Sequence, residues 1–373
     1  MPPVAGADWT GQRVVVRRVA ARDGPRPAFQ DVLGDLITLD DDELTIETRA
    51  GLVAVARADV VSARLVRPAG REVLALEAVA SRGWRAREVQ TSSDGWLLRA
   101  DRGWTGRANS ALALATLRRP LDDVVAEVTA WYAARDLPAR IQVPQPEVGR
   151  LAGFAAGVAS SQVGSAPSQV GSESSQVGSA SSQVGSAPSQ VGVAPSQVGS
   201  ALGDALDRRG WVGADHTDVL VARLDLLAAR ATAQLGNNAA VRLDATPDDN
   251  WLAGYHYRGR GPLPPGAAEL LSRHDRVGFA RVESDGAVVA IGRGAVDDGW
   301  LGITALDVAA TQRRHGLATA VVLALARWGS SAGAARTYVQ TDRTNAGAHR
   351  FFARLGFHRH HSYHYRLAPT IGP

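Results

Sequence analysis

The chain contains no cysteine and no lysine. The first absence excludes disulfides, zinc–thiolate sites and thiol nucleophiles together, and fits a cytosolic protein. The second means that all 41 basic residues are arginine, a bias that with abundant Ala, Val and Gly looks like high-GC codon usage. No apolar run approaches the roughly 18 residues of a membrane-spanning helix, so none is expected. Met1-Pro2-Pro3-Val4 opens the chain without a charged segment and apolar stretch, which argues against a secretory signal. An excess of one charge is also missing. The net charge of +4 is modest for this length and no dense basic stripe is visible, so nucleic acid is not an implied partner.

What is present is enough apolar surface for a real core, 45 % of 373 residues, and a length that suggests two or three domains. Near the start, Gln12–Val19, Val32–Leu39, Glu43–Thr48 and Leu52–Ala56 read as short strands separated by turn residues, the pattern of a small barrel. Farther on, Gly95–Arg99 and Gly106–Ser110 read as paired strands around the turn Asp101-Arg102-Gly103. Asp122–Arg135 then has apolar residues at helical spacing, with Pro120 before it and Leu137-Pro138 after. Between 160 and 200 the tetrad Ser-Gln-Val-Gly begins six times, with a period of seven. Each repeat offers one sizeable apolar residue among Gly, Ser and Pro, too little to repay ordering, and predicts a disordered insertion. Leu202–Arg209 reads as a short helix ending at Gly210, and Thr217–Leu224 as a strand.

Chemistry concentrates after residue 300. Leu301–Val308 reads as a strand and Ala318–Trp328 as an apolar helix, with Arg313-Arg314-His315-Gly316-Leu317-Ala318 between them. A loop entering a helix N-terminus presents free N–H groups and the positive end of the helix dipole, which together favour an anion. Gly316 allows close backbone approach, and the two arginines add charge suited to a pyrophosphate.

This run resembles the [Gln/Arg]-x-x-Gly-x-[Gly/Ala] signature of the GNAT (GCN5-related) N-acetyltransferases, and three neighbours extend the likeness. They are Leu306-Asp307-Val308 ending the preceding strand, Asn345 after strand Thr337–Thr341, and Phe351-Phe352-Ala353-Arg354-Leu355-Gly356-Phe357, similar to a Tyr-x-x-x-Gly-Phe element. The resemblance implies acetyl-CoA as acyl donor. Its pyrophosphate would be held by Arg313, Arg314, His315, Gly316, Leu317, Ala318 and Thr319, and its pantetheine arm would lie along Leu306 and Val308, with Asn345 and Phe352 near the cofactor. It also implies direct attack of a neutral amine on the thioester, with an N–H near Val308 stabilising the oxyanion. Asp307, on the opposite strand face from Leu306 and Val308, is the candidate base or acceptor contact. Phe352 stands where many relatives carry a proton-donating tyrosine, so either another group serves, with Tyr363 and Tyr365 as candidates, or none is needed because a coenzyme A thiolate is already a fair leaving group.

Further likenesses organise the rest. Asp31–Gly34 through Asp59–Val61 resembles the SH3-like module preceding some actinobacterial GNAT domains. The middle region resembles a GNAT fold without its cofactor loop, since Leu117-Arg118-Arg119-Pro120 replaces a Gly-rich turn. The expected fold class is an α/β (α+β) GNAT fold with a mixed sheet. It is preceded by a degenerate GNAT-like half and a small SH3-like β-barrel. The expected boundaries are 1–68 for the barrel, 69–157 with 201–235 for the degenerate half, 158–200 for the insertion and 236–373 for the catalytic domain.

His358, His360, His361 and His364 cluster without a carboxylate among them, so no metal is expected. Trp251, Tyr255, His256 and Tyr257, with Pro262–Pro265, fall where GNAT domains cover the acceptor, an amine-bearing small molecule or protein. The absence of lysine at least excludes acetylation of the chain's own lysine side chains. The alternative function is an acetyl-CoA sensor with an SH3-like docking module, a reading kept open by Phe352.

Overall fold

The computed structural model describes residues 9–21, 27–145, 198–227, 229, 240–256 and 263–369. The repeat segment therefore lies outside the described residues except for 198–200, as do Tyr257 and Pro262.

Strands β1 (Arg13–Ala21), β2 (Ala28–Leu39), β3 (Glu43–Thr48), β4 (Gly51–Ala56) and β5 (Val60–Leu65) form an antiparallel sheet in the order β4-β3-β2-β1-β5. Alternation in β1 and β2 points Val14, Val16, Val32 and Leu36 into one small core with Leu44, Ile46 and Val55. No ladder joins β4 to β5 among the described residues, so the expected closed barrel is corrected to an open sheet. β5 was not among the strands expected from sequence. Its exposed residues Val61 and Leu65 hide the usual alternation.

The body is one sheet of eleven strands. Its first half contains α1 (Gly70–Gly83), β6 (Glu88–Thr91), β7 (Leu97–Ala100), β8 (Ala111–Leu112), α2 (Leu121–Ala133), β9 (Arg140–Gln145), α3 (Val198–Asp207) and β10 (Val212–Arg223). The second half contains β11 (Val241–Asp244), α4 (Asp249–Ala253), α5 (Ala267–Ser272), β12 (Val277–Ser284), β13 (Ala287–Asp297) and β14 (Trp300–Val308). It continues with α6 (Leu317–Ser331), β15 (Arg336–Asp342), α7 (Ala346–Arg354) and β16 (His358–Leu367). The order is β11-β12-β13-β14-β15-β10-β16-β9-β8-β7-β6, antiparallel except for the pairs β14–β15 and β8–β9. Each parallel pair is bridged by a helix, α6 in one half and α2 in the other, as crossover connections require.

The final strands are exchanged. β10, from the first half, pairs with β15 of the second, while β16, from the second, pairs with β9 of the first. The two exchanged strands pair with each other, so the sheet runs unbroken through both halves.

Helix α6 lies against β12–β14, burying Leu317, Val321, Val322 and Leu325 with Leu220, Leu301, Ile303 and Val339. Glycines on β13 allow that approach: a Cβ on Gly292 would stand 2.6 Å from Val321 and one on Gly294 would stand 2.9 Å from Trp328. Helix α1, with Val73, Leu76 and Val79 at helical spacing, covers the other face. Its Glu72 carboxylate accepts the Ala69 N–H at 2.7 Å and fixes the helix start. The segment Gly106–Ala108 is a 3-10 turn where a strand was expected. The Asn109 side chain accepts from the N–H groups of Asp101 and Gly103 and donates to the carbonyls of Asp101 and Thr105, which closes the chain into a loop.

Candidate active site

β14 and β15 pair only from Trp300↔Arg336 to Ile303↔Val339. Beyond that point they part, leaving Thr304–Val308 on one edge of a gap and Gln340–Asp342 on the other. A bulge shapes the β14 edge. The register with β13 shifts between Ile291↔Asp307 and Arg293↔Thr304, and Ala305 has a φ of 50°. The extra residue re-aims the side chains. Ile303, Leu306 and Val308 face the α6 core, while Ala305 faces the opposite cluster. Asp307 also takes the side away from α6, where its carboxylate accepts the His256 N–H at 3.2 Å and lies 3.5 Å from His256 Nδ1.

The other end of the gap leads to the start of α6. Gly316 caps that helix with a φ of 78°, a left-handed conformation that suits glycine, and offers the first turn no side-chain cap. The first bond of the helix, from the Ala320 N–H to the Gly316 carbonyl at 3.0 Å, leaves the preceding N–H groups directed out of the helix end. Residues 313–316 are exposed, and the first turn carries no acid. Arg313 Nε donates to the Val308 carbonyl at 3.2 Å and so ties the loop to the bulged strand. The donor set is all N–H and guanidinium, which matches an anionic diphosphate. The cofactor-loop residues expected from sequence, Arg313 to Thr319, are brought together here with Leu306 and Val308.

Asn345 lies at the start of α7, where its Oδ1 accepts the Ala348 N–H at 3.0 Å, so its oxygen serves as a helix cap. Phe352 is buried in the α6 core beside Phe357 at a ring distance of 5.1 Å, and its surroundings are those of a packing residue. Tyr363 is not brought to the gap. It lies on β16, two strands from β15 and therefore roughly 10 Å away across the sheet, packed under α1 with Tyr365. The local pattern could not disclose this, because the exchange of β10 places a strand between β15 and β16.

The histidines serve the sheet. His361 Nε2 is 2.7 Å from Glu77 of α1, and His361 Nδ1 is 2.8 Å from His360 Nδ1. Burial, reinforced by His361, pushes the His360 ring down to about 3. Burial with Arg366 nearby pushes His364 down to about 4, and burial with Arg336 nearby does the same for His358.

Other residues at the site were not anticipated from sequence. Arg293, fully buried, donates to the carbonyls of Leu271 (2.7 Å) and Gly83 (3.0 Å) and reaches Thr304 Oγ1 at 3.4 Å, joining both halves behind the gap. Burial lowers its guanidinium to about 10. Trp84, Trp104 and Arg107 come from the first half; only the side-chain bonding of Thr105 and Asn109 hints at a fixed loop there.

A family model described as "Probable histone acetyltransferase Rv0428c C-terminal" matches residues 71–190 and 197–366. The Mycobacterium tuberculosis protein described as "Probable histone acetyltransferase Rv0428c" is 28 % identical over 377 residues, covering 97 % of this chain and 96 % of that one. The Bacillus subtilis protein described as "Uncharacterized N-acetyltransferase YobR" is 29 % identical over 89 residues, which is 24 % of this chain and 36 % of that one. Among solved structures, a GCN5-related N-acetyltransferase from Kribbella flavida shares the fold, with a TM-score of 0.50 and 14 % identity, over 80 % of this chain and 95 % of that one. The chain belongs to the Rv0428c C-terminal acetyltransferase family, of the GNAT type, and is an acyl-CoA-dependent N-acyltransferase.

Proposed function

We propose that the second half carries the single acyl-transfer site and acetylates a primary amine of a small molecule or protein. The observation that carries this reading is the continuity of an α6 N-terminus without a side-chain cap, a bulged β14 and an open β14–β15 gap. Arg313, Arg314 and the N–H groups from His315 to Thr319 hold the diphosphate, and Leu306 and Val308 line the path of the arm. The donor supplies a thioester carbon at the gap. The neutral amine nitrogen bonds to that carbon, the carbon–sulfur bond breaks, the sulfur leaves as thiolate, and the extra proton on the nitrogen passes to that thiolate or to solvent. An ammonium must first lose a proton, and Asp307, on the gap edge and oriented by His256, is the group we assign to accept it. An N–H near Val308 stabilises the oxyanion.

The domain boundaries follow the same reading: a degenerate half over 69–157 and 201–235, and a catalytic half over 236–373. The five-stranded order, with a 3-10 turn at Arg57–Asp59 before the last strand, supports an SH3-like docking module over 1–68. None of the described helices is long and apolar enough to cross a membrane, and with the absence of cysteine this favours a cytoplasmic setting. The sensor alternative rests on Phe352, which lacks a proton to donate.

The test is release of free thiol from acetyl-CoA in the presence of an amine panel. Amine-dependent release supports a transferase. Tight acetyl-CoA binding without release for any amine supports the sensor.

A further inference from the structure

Arg293 lies buried in the middle of β13. Its neighbours Gly292 and Gly294 face α6, so the pleat turns the Arg293 side chain to the opposite face, the one that holds Ala305 and Asp307. Burying a guanidinium is costly unless its donors and its charge are met. Here the acceptors are helix ends rather than carboxylates. Nε donates to the Leu271 carbonyl at 2.7 Å, and Nη2 donates to the Gly83 carbonyl at 3.0 Å. Gly83 is the last residue of α1, and Leu271 is the last but one of α5. Carbonyls at these positions find no acceptor role inside their own helix, and they carry the partial negative charge of a helix C-terminus. One of the two helices comes from the first half and the other from the second. The Trp84 ring completes the setting, with the guanidinium 5.5 Å from its centre.

The remaining arm reaches the strand that edges the gap. Nη1 donates to Thr304 Oγ1 at 3.4 Å, and Arg293 and Thr304 are also directly opposed in the β13–β14 ladder. Thr304 is the first β14 residue beyond the last pair with β15. Toward Val308 the next regular pair is Ile291↔Asp307, so Gly292 alone spans Ala305 and Leu306. Arg293–Thr304 is thus the last regular pair before the bulge, at the point where β14 leaves β15. Ala305 has a φ of 50°, a conformation that a residue with a Cβ keeps only where its surroundings enforce it. The Arg293 clamp holds the bulge on one side. Arg313, bonded to the Val308 carbonyl, holds it on the other.

Resting on the acyltransferase reading above, we propose that Arg293 is a positioning residue for acyl transfer. It locks the β14 bulge to the end of α1, so the first half sets the direction of the strand N–H groups that polarise the thioester carbonyl. The half that lacks a cofactor loop thereby acts on the reaction through one buried side chain.

The test uses the full chain and acetyl-CoA labelled with carbon-13 at the acetyl carbonyl. Calorimetry gives its affinity, and difference infrared spectroscopy gives the change in the labelled carbonyl stretch on binding. In the wild type the stretch should move to lower frequency, as a carbonyl polarised by N–H donors does. Arg293→Met, which keeps an unbranched apolar chain and removes the donors, should lose most of that change. Its affinity should alter by less than about threefold, because α6 and its loop lie on the other face of the sheet. Thr304→Val removes only the acceptor at the bulge and leaves both helix ends clamped. It should lose part of the change, and Thr304→Ser should restore it. Thermal melts without acetyl-CoA show which variants fold, and Thr304→Val decides the matter if Arg293→Met does not. A residue that merely packs would lower the melting temperature and leave the bound carbonyl as in the wild type. An unmoved carbonyl in the wild type, or the full wild-type change in folded Arg293→Met or in Thr304→Val, would overturn the proposal. Failure of the wild type to bind acetyl-CoA would instead remove the transferase reading on which it rests.

Discussion

Two helices occupy equivalent places in the sheet, each bridging a parallel strand pair, yet their N-termini are opposites. At α6 the approach is exposed, arginine-bearing and glycine-capped, with no acid in the first turn. At α2 the cap is Pro120, and Asp122 and Asp123 fill the first turn. The loop before α2 already holds an anion of the protein's own. The buried Asp94 carboxylate accepts the N–H groups of Arg118 (2.8 Å) and Arg119 (3.2 Å) and pairs with the Arg119 guanidinium at 2.7 Å. Burial pushes the Asp94 carboxyl up, but these donors outweigh it and hold it below its ordinary range. Glu127 takes the remaining reach of Arg119. A phosphate arriving at α2 would therefore meet four carboxylates and donors already engaged. The same architecture leaves an exposed, N–H- and arginine-lined helix end in one half and a closed structural knot in the other, and a handful of side chains decides which.

That contrast can be stressed from both sides. The largest effect is expected at Asp307. Asp307→Asn should lower kcat by roughly 100-fold while leaving acetyl-CoA affinity unchanged, as steady-state kinetics beside calorimetry would show. A rate within a few-fold of wild type would mean that the amine loses its proton elsewhere. On the other half, Asp94→Ala should cost about 2 kcal/mol of stability, because it strips buried N–H groups of their acceptor. Urea denaturation measures this, and donor affinity should not move. Arg314→Glu, in the exposed loop, should weaken acetyl-CoA binding about tenfold, with the deficit shrinking at high salt.

The smallest effect concerns pH. His358, His360 and His364 have folded values pushed by burial below their ordinary 6.5, to about 4, 3 and 4. The unfolded chain therefore binds protons first, so stability should fall as pH drops through about 6.5 and level off below about 3. Thermal melts from pH 7.5 to 4 should show a decline in Tm of several degrees, and His364→Gln should flatten part of it.

The strand, loop and helix that carry the family signature were largely legible because they are local. One strand, one loop and one helix carry the signature, and Leu301–Val308 and Ala318–Trp328 were placed within a few residues of β14 and α6. Helix α2 was equally plain from its apolar spacing between prolines. The surroundings of the gap on the face away from α6 were not legible, because they are assembled from distant segments. Trp84 ends α1, Trp104 lies in a turn, and Arg107 meets Gln340 across 233 positions of chain. Gly106–Ser110 looked like a strand because its hydrogen bonds run through side chains, which strand patterns ignore. Tyr363 was placed beside the reacting strand by adjacency in sequence, whereas strand exchange sets β10 between them.

The central claim is that one chain holds one acetyl-CoA, at α6. Calorimetry of the full chain, wild type beside Gly316→Glu, tests it most directly. The account predicts a stoichiometry of about one in the wild type and at least a roughly 100-fold loss of affinity in the variant, since a glutamate there adds both bulk and like charge at the phosphate position. Two sites per chain, or binding undiminished in a variant that melts like the wild type, would contradict it.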